Sequence, residues 1–218
     1  ISDRKLKPST LVTAGLTFKL RRKALPEPEV PGAEEVREVY RDEWLLILDK
    51  PAGLPIHPTA RYHRGTLVSQ LKARGEEAWP AHRLDRETSG LLVCARSVAV
   101  SQKLGDLFQG SEVKKEYLAI CEGWPEDEFE VDAPISEGTE LIRIAVKIAT
   151  VAGKAAQTVF AVERKFERDG AKFALLRCFP RTGRQHQIRI HLQFAGFPLV
   201  GDKMYGPDPG YFDRFSKH

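Results

Sequence analysis

Apolar positions along this chain follow a period of two more often than a period of 3.6. Runs that alternate, or that are apolar and bounded by turn residues, predict β-strands. The predicted strands are an approach strand from Val36 and strands over residues 44–48, 91–95, 114–123, 158–167 and 172–179. A turn at Asp169-Gly170 joins the last two. The chain is therefore predicted to be rich in strands.

Helical spacing of apolar residues is confined to three short segments, residues 66–74, 98–109 and 185–195. Gly110 and Gly196 follow the second and third segments as stop signals. Residues 123–155 are predicted to form a hairpin-rich excursion. Few helices, many strands and short connections favour an α+β fold over a doubly wound parallel sheet.

The first 32 residues differ from the rest of the chain. Residues 1–23 carry seven cationic side chains against one acid, and a proline-rich stretch follows them. We therefore divide the chain into a basic N-terminal segment with its linker, residues 1–32, and a catalytic-sized domain, residues 33–218. The basic end is suited to a polyanion.

Composition narrows the class of protein only slightly. A chain of 218 residues with 42% hydrophobic content can bury a core, and its net charge of +4 permits an anionic partner. Its three cysteines are widely spaced and match neither a disulfide framework nor a zinc site, which indicates a reducing compartment, by default the cytoplasm. No apolar run is long enough to cross a membrane.

Residues 82–92 join a charged loop to a predicted strand. Asp85 lies between Arg83 and Arg86, and the turn Thr88-Ser89-Gly90 leads into the strand. A carboxylate on a loop held by a rigid element is a typical position for a reactive side chain. The alternative is a carboxylate that only pairs with a neighbouring arginine.

Residues 181–196 concentrate basic and amide side chains at the start of the last predicted helix. His186 and Arg189 are three residues apart, so they project from nearby positions. Such side chains can donate to phosphates and base edges, and a solvated basic helix face is the alternative. His186 and His191 are five apart, a poor spacing for chelation, so no metal site is predicted.

Several separated stretches occur together in this sequence. They are His82–Leu92, Lys115–Tyr117 with Ala119, and Arg181–Arg189 with His191-Leu192, followed by Gly201-Asp202 and Tyr205-Gly206. They resemble, in order, the motifs of the RluA family of RNA pseudouridine synthases, and Leu48–Leu54 resembles that family's first strand and loop. The resemblance implies the family's α+β fold, a mixed, mainly antiparallel sheet flanked by a few helices with the catalytic cleft across the sheet.

The resemblance also implies roles for single residues. Asp85 matches the catalytic aspartate, Arg189 its basic partner, and Tyr117 a tyrosine that stacks on the extruded base and is a candidate for assisting proton removal. Asp85 and Arg189 are then expected within ion-pair reach. Arg83 is expected to enter the space that the flipped nucleotide leaves. The expected substrate contacts are His82, Arg83, Leu84, Thr88, Ser89, Gly90, Arg184, His186, Gln187 and His191.

The implied reaction breaks the bond between uracil nitrogen 1 and ribose, turns the base and rejoins it through carbon 5. It needs no redox step and no external group, and the chain offers no phosphate-cradling glycine loop, so no cofactor is expected. The expected partner is RNA, ribosomal RNA ahead of transfer RNA, and the enzyme is expected to be a monomer. Whether Asp85 attacks the sugar or the ring, or assists a glycal route, stays open.

Two other classes of protein are alternatives. A catalytically silent RNA-binding module would keep the basic helix but would not need Asp85, Arg189 and Tyr117 together. A glycoside hydrolase needs two facing carboxylates, and Asp85 with Glu87 on one loop make a poor facing pair.

The two ends of the chain depart from the family's pattern. The family continues beyond Gly206 with a further strand, so we expect the chain to be truncated at its C-terminal end. The start, which has no initiator methionine, resembles weakly the end of a small upstream RNA-binding domain. Residues 1–23 are expected to lie along RNA phosphates outside the cleft, or alternatively to pack on the main domain as a strand.

Overall fold

The computed structural model describes residues 15, 17, 26–30, 36–59, 62–136, 147–148 and 153–208. The predictions made for the remaining positions lie outside the described residues. They concern most of residues 1–23, the middle of the 123–155 excursion, and residues 209–218.

The α+β fold is confirmed, with strands predominating. The elements in chain order are β1 Arg37–Arg41, β2 Leu45–Lys50, α1 Leu67–Ala73, β3 Trp79–Pro80, β4 Gly90–Ala95, α2 Val98–Gln109, β5 Tyr117–Glu122, β6 Glu128–Asp132, β7 Ile135–Ser136, β8 Lys147–Ile148, β9 Gln157–Arg168, β10 Ala171–Pro180 and α3 Gln187–Phe194. None of the described helices is both long and apolar enough to cross a bilayer.

The strands form two separate four-stranded sheets, in the orders β1-β2-β4-β3 and β5-β10-β9-β6, and a small β7-β8 pair. Every pairing between described strands is antiparallel. The arrangement therefore differs from the expected single mixed sheet in having two sheets and, among the described strands, no parallel pair. The two-residue turn Asp169-Gly170 requires β9 and β10 to be antiparallel neighbours, whereas the other pairings join strands that are more distant in the chain.

Turn and cap residues define the element boundaries. Asp169 and Gly170 both have positive φ, 51° and 75°, as a two-residue hairpin turn requires, and they join the two longest strands. The side chains of Thr66 and Ser97 cap α1 and α2 by accepting hydrogen bonds from backbone N–H groups of the first turn. The predicted helix 98–109 is confirmed at both ends.

Each sheet has its own apolar core. In the first sheet, Leu92 and Cys94 pack with the α1 residue Leu67, and in the second, Cys121 and Cys178 pack with the α3 residue Leu192. The core residues in these two groups are buried, and all three cysteines of the chain are free thiols. The two cores leave a boundary between the sheets, and the candidate site lies there.

Tyr117 stands at this boundary, at the first position of β5. It packs against both cores. The predicted face-sharing with Ala119 and Cys121 is confirmed, since alternate β5 residues are buried. Tyr117 is thus fixed by the packing of both sheets.

The last helix begins at Gln187, so the prediction that it starts at Gln185 is wrong. Gln187 Oε1 accepts hydrogen bonds from the Arg184 N–H and the Thr182 hydroxyl, which holds the preceding residues as a loop. His186 closes that loop in the left-handed conformation, with φ 57°. Helical spacing of apolar residues could not reveal this side-chain interaction.

Candidate active site

A cleft of about 700 Å³ opens between the two sheets. Its walls are the Asp85 loop between β3 and β4, the C-terminal end of α2, the start of β5, the loop before α3, and α3 itself. The predicted convergence of the Asp85 loop, the Tyr117 strand and the last helix is confirmed.

Arg189 holds two carboxylates together at the base of the cleft. Its Nη1 donates to Asp85 Oδ2 at 2.9 Å, while Nε and Nη2 donate to the two oxygens of Asp202 at 2.6 and 2.9 Å. The predicted ion pair between Asp85 and Arg189 is confirmed. Because the two-pronged contact with Asp202 fixes the plane of the guanidinium, it also fixes the direction from which Arg189 reaches Asp85.

Asp202 is the buried member of this triad, with a side chain only 1% exposed. Burial alone would raise its pKa, but the hydrogen bond and positive charge of Arg189, together with N–H groups of Met204 and Tyr205, lower the pKa below its ordinary value. Asp202 therefore stays ionised and leaves Asp85 free to face the cleft.

A buried lysine fixes the loop that carries Asp85. Lys50, at the end of β2, donates from Nζ to the carbonyls of Pro51 at 2.9 Å and of Leu54 and Arg86 at 3.0 Å. Burial lowers the pKa of Lys50 to about 8, so the ammonium is still mostly charged at pH 7 and supplies three donors. Arg86 directly follows Asp85, so Lys50 ties the Asp85 loop to the neighbouring loop.

We expect Lys50→Met to destabilise the protein strongly. The change keeps the apolar stem but leaves buried carbonyls without donors, at about 1–3 kcal/mol each. Thermal melting should show a clear fall in Tm, because the Asp85 loop is released. Lys72→Met, at an exposed lysine of α1, is the matched control and should melt like the wild type. An equal Tm for both variants would contradict the role of Lys50.

His82 and Tyr117 form an uncharged part of the cleft wall. His82 Nε2 accepts the backbone N–H of Val93 at 3.1 Å, and its ring stacks on Phe108. Burial, with the nearby charge of Lys115, lowers the pKa of His82 to about 4, so the ring is neutral. Burial and the charge of Asp85 raise the pKa of Tyr117, so its phenol keeps its proton. Both rings offer flat surfaces on which a base could stack.

His186 lies near Oδ1 of Asp85, the carboxylate oxygen to which Arg189 does not donate. Its Nδ1 is 2.9 Å from the hydroxyl of Tyr205, and its Nε2 is 3.7 Å from Asp85 Oδ1. The side chain is 10% exposed, and burial lowers the pKa of the ring. The two oxygens of Asp85 thus face different partners, the Arg189 guanidinium and the His186 imidazole.

Most of the predicted site residues line the cleft. These are Asp85, Tyr117, Arg189, His82, Arg83, Leu84, Thr88, Arg184, His186 and Gln187. The structure brings them together from positions more than 100 residues apart in the chain.

Four of the expected substrate contacts lie away from the open space of the cleft or have their side chains bonded to protein groups. His191 is fully buried, with its ring nitrogens bonded to Thr158 and to the Ala133 carbonyl, so it belongs to the core. Gln187 reaches the cleft wall, but its amide is occupied by protein partners. Ser89 and Gly90 lie outside the cleft lining.

The sequence did not reveal two charged residues that position the site. Lys50 and Asp202 entered the sequence analysis only as parts of matching stretches. For both residues the sequence shows only a charged side chain followed by residues that terminate regular structure. This pattern does not reveal that the side chain is buried. Among the described residues, no group of three or more His, Cys, Asp or Glu side chains could hold a metal ion.

The sequence of this chain matches a known family over most of its length. Residues 44–194 match the model of the RNA pseudouridylate synthase family. The chain belongs to this family. The match spans the Asp85 loop, Tyr117 and Arg189, so all three lie within the family domain.

Its curated relatives confirm the resemblance to the RluA type. The mitochondrial tRNA pseudouridine(32) synthase of Saccharomyces cerevisiae is 33% identical over 100% of this chain and 46% of that protein. Ribosomal large subunit pseudouridine synthase D of Nitrosomonas europaea is 39% identical over 80% of this chain and 52% of that protein. This chain thus spans about half the length of these relatives.

A solved structure of human RNA pseudouridylate synthase domain containing 1 has the same fold. It is 29% identical, with a TM-score of 0.71, over 87% of this chain and 76% of that chain. The fold described above is therefore shared with a solved pseudouridylate synthase.

Proposed function

We propose that this chain is an RNA pseudouridine synthase, an isomerase that converts specific uridines in structured RNA to pseudouridine. The observation that carries the proposal is the contact of Asp85 with Arg189 at 2.9 Å beside Tyr117, in a cleft whose walls offer both cations and flat rings. Membership of the family supports the same reaction.

In this proposal Asp85 is the catalytic carboxylate. Its oxygens are the anionic groups of the cleft that face the open space, since Asp202 is buried behind Arg189. A carboxylate so placed can attack an electrophilic carbon or stabilise positive charge on the ribose as the bond to nitrogen 1 breaks. The hydrogen bond from Arg189 fixes the position of this carboxylate.

The target uridine must leave its helix to reach Asp85. Extrusion of a base costs a few kcal/mol, which stacking and phosphate contacts offset. Tyr117 and His82 are the candidate stacking surfaces, and Arg184 is a candidate for phosphate. Arg83 is exposed at the cleft mouth, which supports its proposed insertion into the vacated stack.

Mapping of pseudouridine in RNA tests this proposal. RNA from cells with and without the protein is compared, and sites missing without it are then reproduced with purified protein on the unmodified transcript. We expect at least one uridine to depend on the protein in both assays, with no loss after EDTA treatment of the protein, because we propose that no metal or nucleotide takes part. Identical maps together with intact RNA binding would favour the silent RNA-binding module.

We expect Tyr117→Phe to keep most of the activity and Tyr117→Ala to lose much of it. Phenylalanine keeps the ring at the boundary of the two cores, whereas alanine removes the stacking surface, worth about 1–3 kcal/mol per base. Single-turnover rates on the mapped transcript should therefore fall less than about tenfold for Phe and clearly more for Ala. Equal losses in the two variants would assign an essential role to the hydroxyl.

The finer features of the substrate and setting are also proposals. Relatives named for transfer RNA and for the large ribosomal subunit support RNA of either kind, with ribosomal RNA favoured. A monomer is proposed as the working unit. Free, buried cysteines support a reducing compartment such as the cytoplasm. Residues 1–32 are proposed as an accessory RNA-binding segment and residues 33–218 as the catalytic domain.

A further inference from the structure

We propose that His186 is a catalytic residue, the base that takes the proton from carbon 5 of the re-attached uracil. The inference rests on the proposed function and assigns His186 a chemical role in place of the substrate contact expected from the sequence. Its basis is the position and the hydrogen bonding of the ring.

The proton step arises from the chemistry of isomerisation. When carbon 5 bonds to the ribose, it carries both the new bond and its original hydrogen, and the ring has a double bond between nitrogen 1 and carbon 6. The proton must leave carbon 5 with its bonding electrons returning to the ring, while a proton adds to nitrogen 1. If one base accepts the first proton and its conjugate acid supplies the second, atoms and charges balance without a co-reactant.

His186 is placed to serve as that base. Carbon 5 bonds to the ribose carbon that reacts beside Asp85, so carbon 5 also lies beside Asp85 at this step. His186 Nε2 is 3.7 Å from Asp85 Oδ1. That separation is longer than a hydrogen bond, so Nε2 is not committed to Asp85. The Tyr205 hydroxyl at Nδ1, 2.9 Å away, fixes the ring's orientation and leaves Nε2 directed at the cleft.

The surrounding charges suit the same role. Burial lowers the pKa of His186, so the neutral ring is present before the step. Asp85 and Asp202 favour the imidazolium once it has formed, while Arg189 and Arg83 oppose it. These opposing charges allow the ring to accept a proton and to give it up again, as a shuttle must.

Other groups in the described cleft wall are less suited. The Tyr117 phenol has a raised pKa and holds its proton. His82 Nε2 already accepts the Val93 N–H. Lys115 donates from Nζ to the Thr182 carbonyl.

The backbone of His186 decides which variants are informative. Its φ of 57° lies in the left-handed region, which asparagine and glycine tolerate best. His186→Asn therefore keeps the backbone and a polar group near Tyr205 but cannot accept a proton. His186→Gly leaves a space that free imidazole can enter. His63→Asn, at an exposed histidine in a loop, is the matched control.

The experiment measures tritium release from [5-³H]uridine transcripts of the host's ribosomal and transfer RNAs, under single turnover. We expect His186→Asn to slow release by about 100-fold or more, the usual contribution of a general base. Deuterium at carbon 5 should produce a larger isotope effect in His186→Asn than in the wild type, because proton removal becomes limiting. Imidazole should restore release to His186→Gly, in proportion to the concentration of the neutral form.

The outcomes separate this inference from the proposed function. Wild-type protein that releases no tritium from any transcript would overturn both. Active wild type together with a His186→Asn variant that is within threefold of it would overturn the role of His186 alone. A slow variant with an unchanged isotope effect and no response to imidazole would also overturn it, since that pattern indicates a purely structural role.

Discussion

Asp85→Asn should abolish isomerisation while leaving the fold intact. The amide has nearly the size of the carboxylate but no negative charge, so it can neither attack nor stabilise a cationic sugar. We expect the single-turnover rate to fall by more than about 10³-fold, as for other catalytic carboxylates. Arg189 remains bound to both oxygens of Asp202, so no buried charge is left alone. The free energy of unfolding should therefore change by no more than about 1 kcal/mol.

The measurement combines a tritium-release or pseudouridine assay with thermal melting and RNA binding on one preparation. Glu87→Gln is the matched control, because Glu87 lies on the same loop but is exposed and paired with Arg86. It should retain near wild-type activity. Activity in Asp85→Asn comparable with the wild type would reject the assignment and direct attention to another carboxylate.

Arg189→Met should lower stability as well as activity. Methionine fills much of the same space but leaves the carboxylate of Asp202, 1% exposed, without its cation. Breaking a buried pair in this way costs about 3–5 kcal/mol. Denaturant unfolding should show this loss, whereas Arg177→Met, which breaks exposed pairs with Glu163 and Glu116, should cost about 1 kcal/mol or less.

A second substitution tests the cause of this loss. Arg189→Met combined with Asp202→Asn removes the stranded charge, so much of the stability should return. Activity should not return, because Asp85 still lacks its partner. A double variant no more stable than Arg189→Met would mean that packing, and not charge, explains the loss.

The stability of the wild type and the stability of Arg189→Met should change with pH in opposite directions. In the wild type the pKa of Asp202 is lowered, so its stabilising contribution is present above the ordinary aspartate value and is lost as pH falls through the lowered pKa. In Arg189→Met, burial, the largest influence on that pKa, is opposed only by the N–H groups of Met204 and Tyr205, so we expect the pKa to rise above the ordinary value. The variant should then be relatively more stable at acidic pH and lose stability as pH rises through the raised value.

The sequence predicted most elements of the fold because their signals are local. Alternation of apolar residues indicated β5, and helical spacing with the stop at Gly110 indicated α2, so both were located from the pattern alone. The division into two sheets was not predicted, because strand order depends on contacts between distant residues. The true start of α3 depends on hydrogen bonds of the Gln187 side chain that periodicity does not record.

In the candidate site, too, some features could be predicted from the sequence and others could not. Asp85 and Arg189 were paired through resemblance, and their contact across the cleft is confirmed. His191 is a histidine of the same motif as His186 and was also expected to contact the substrate, yet its side chain is buried. Lys50 and Asp202 were missed because a charged residue in sequence is expected at the surface. Burial of a charge is decided by partners that only the folded chain supplies.

The three buried cysteines allow the opening of each sheet to be followed chemically. Cys94 lies in the first core, and Cys121 and Cys178 lie in the second. Burial raises the pKa of Cys94 and of Cys178 to about 12, so neither reacts as a thiolate in the folded state. The rate at which Cys94 is alkylated therefore reports the opening of the first sheet, and the rate for Cys178 reports the opening of the second. Matching rates would show that the two sheets open as one cooperative unit, joined where Tyr117 packs against both.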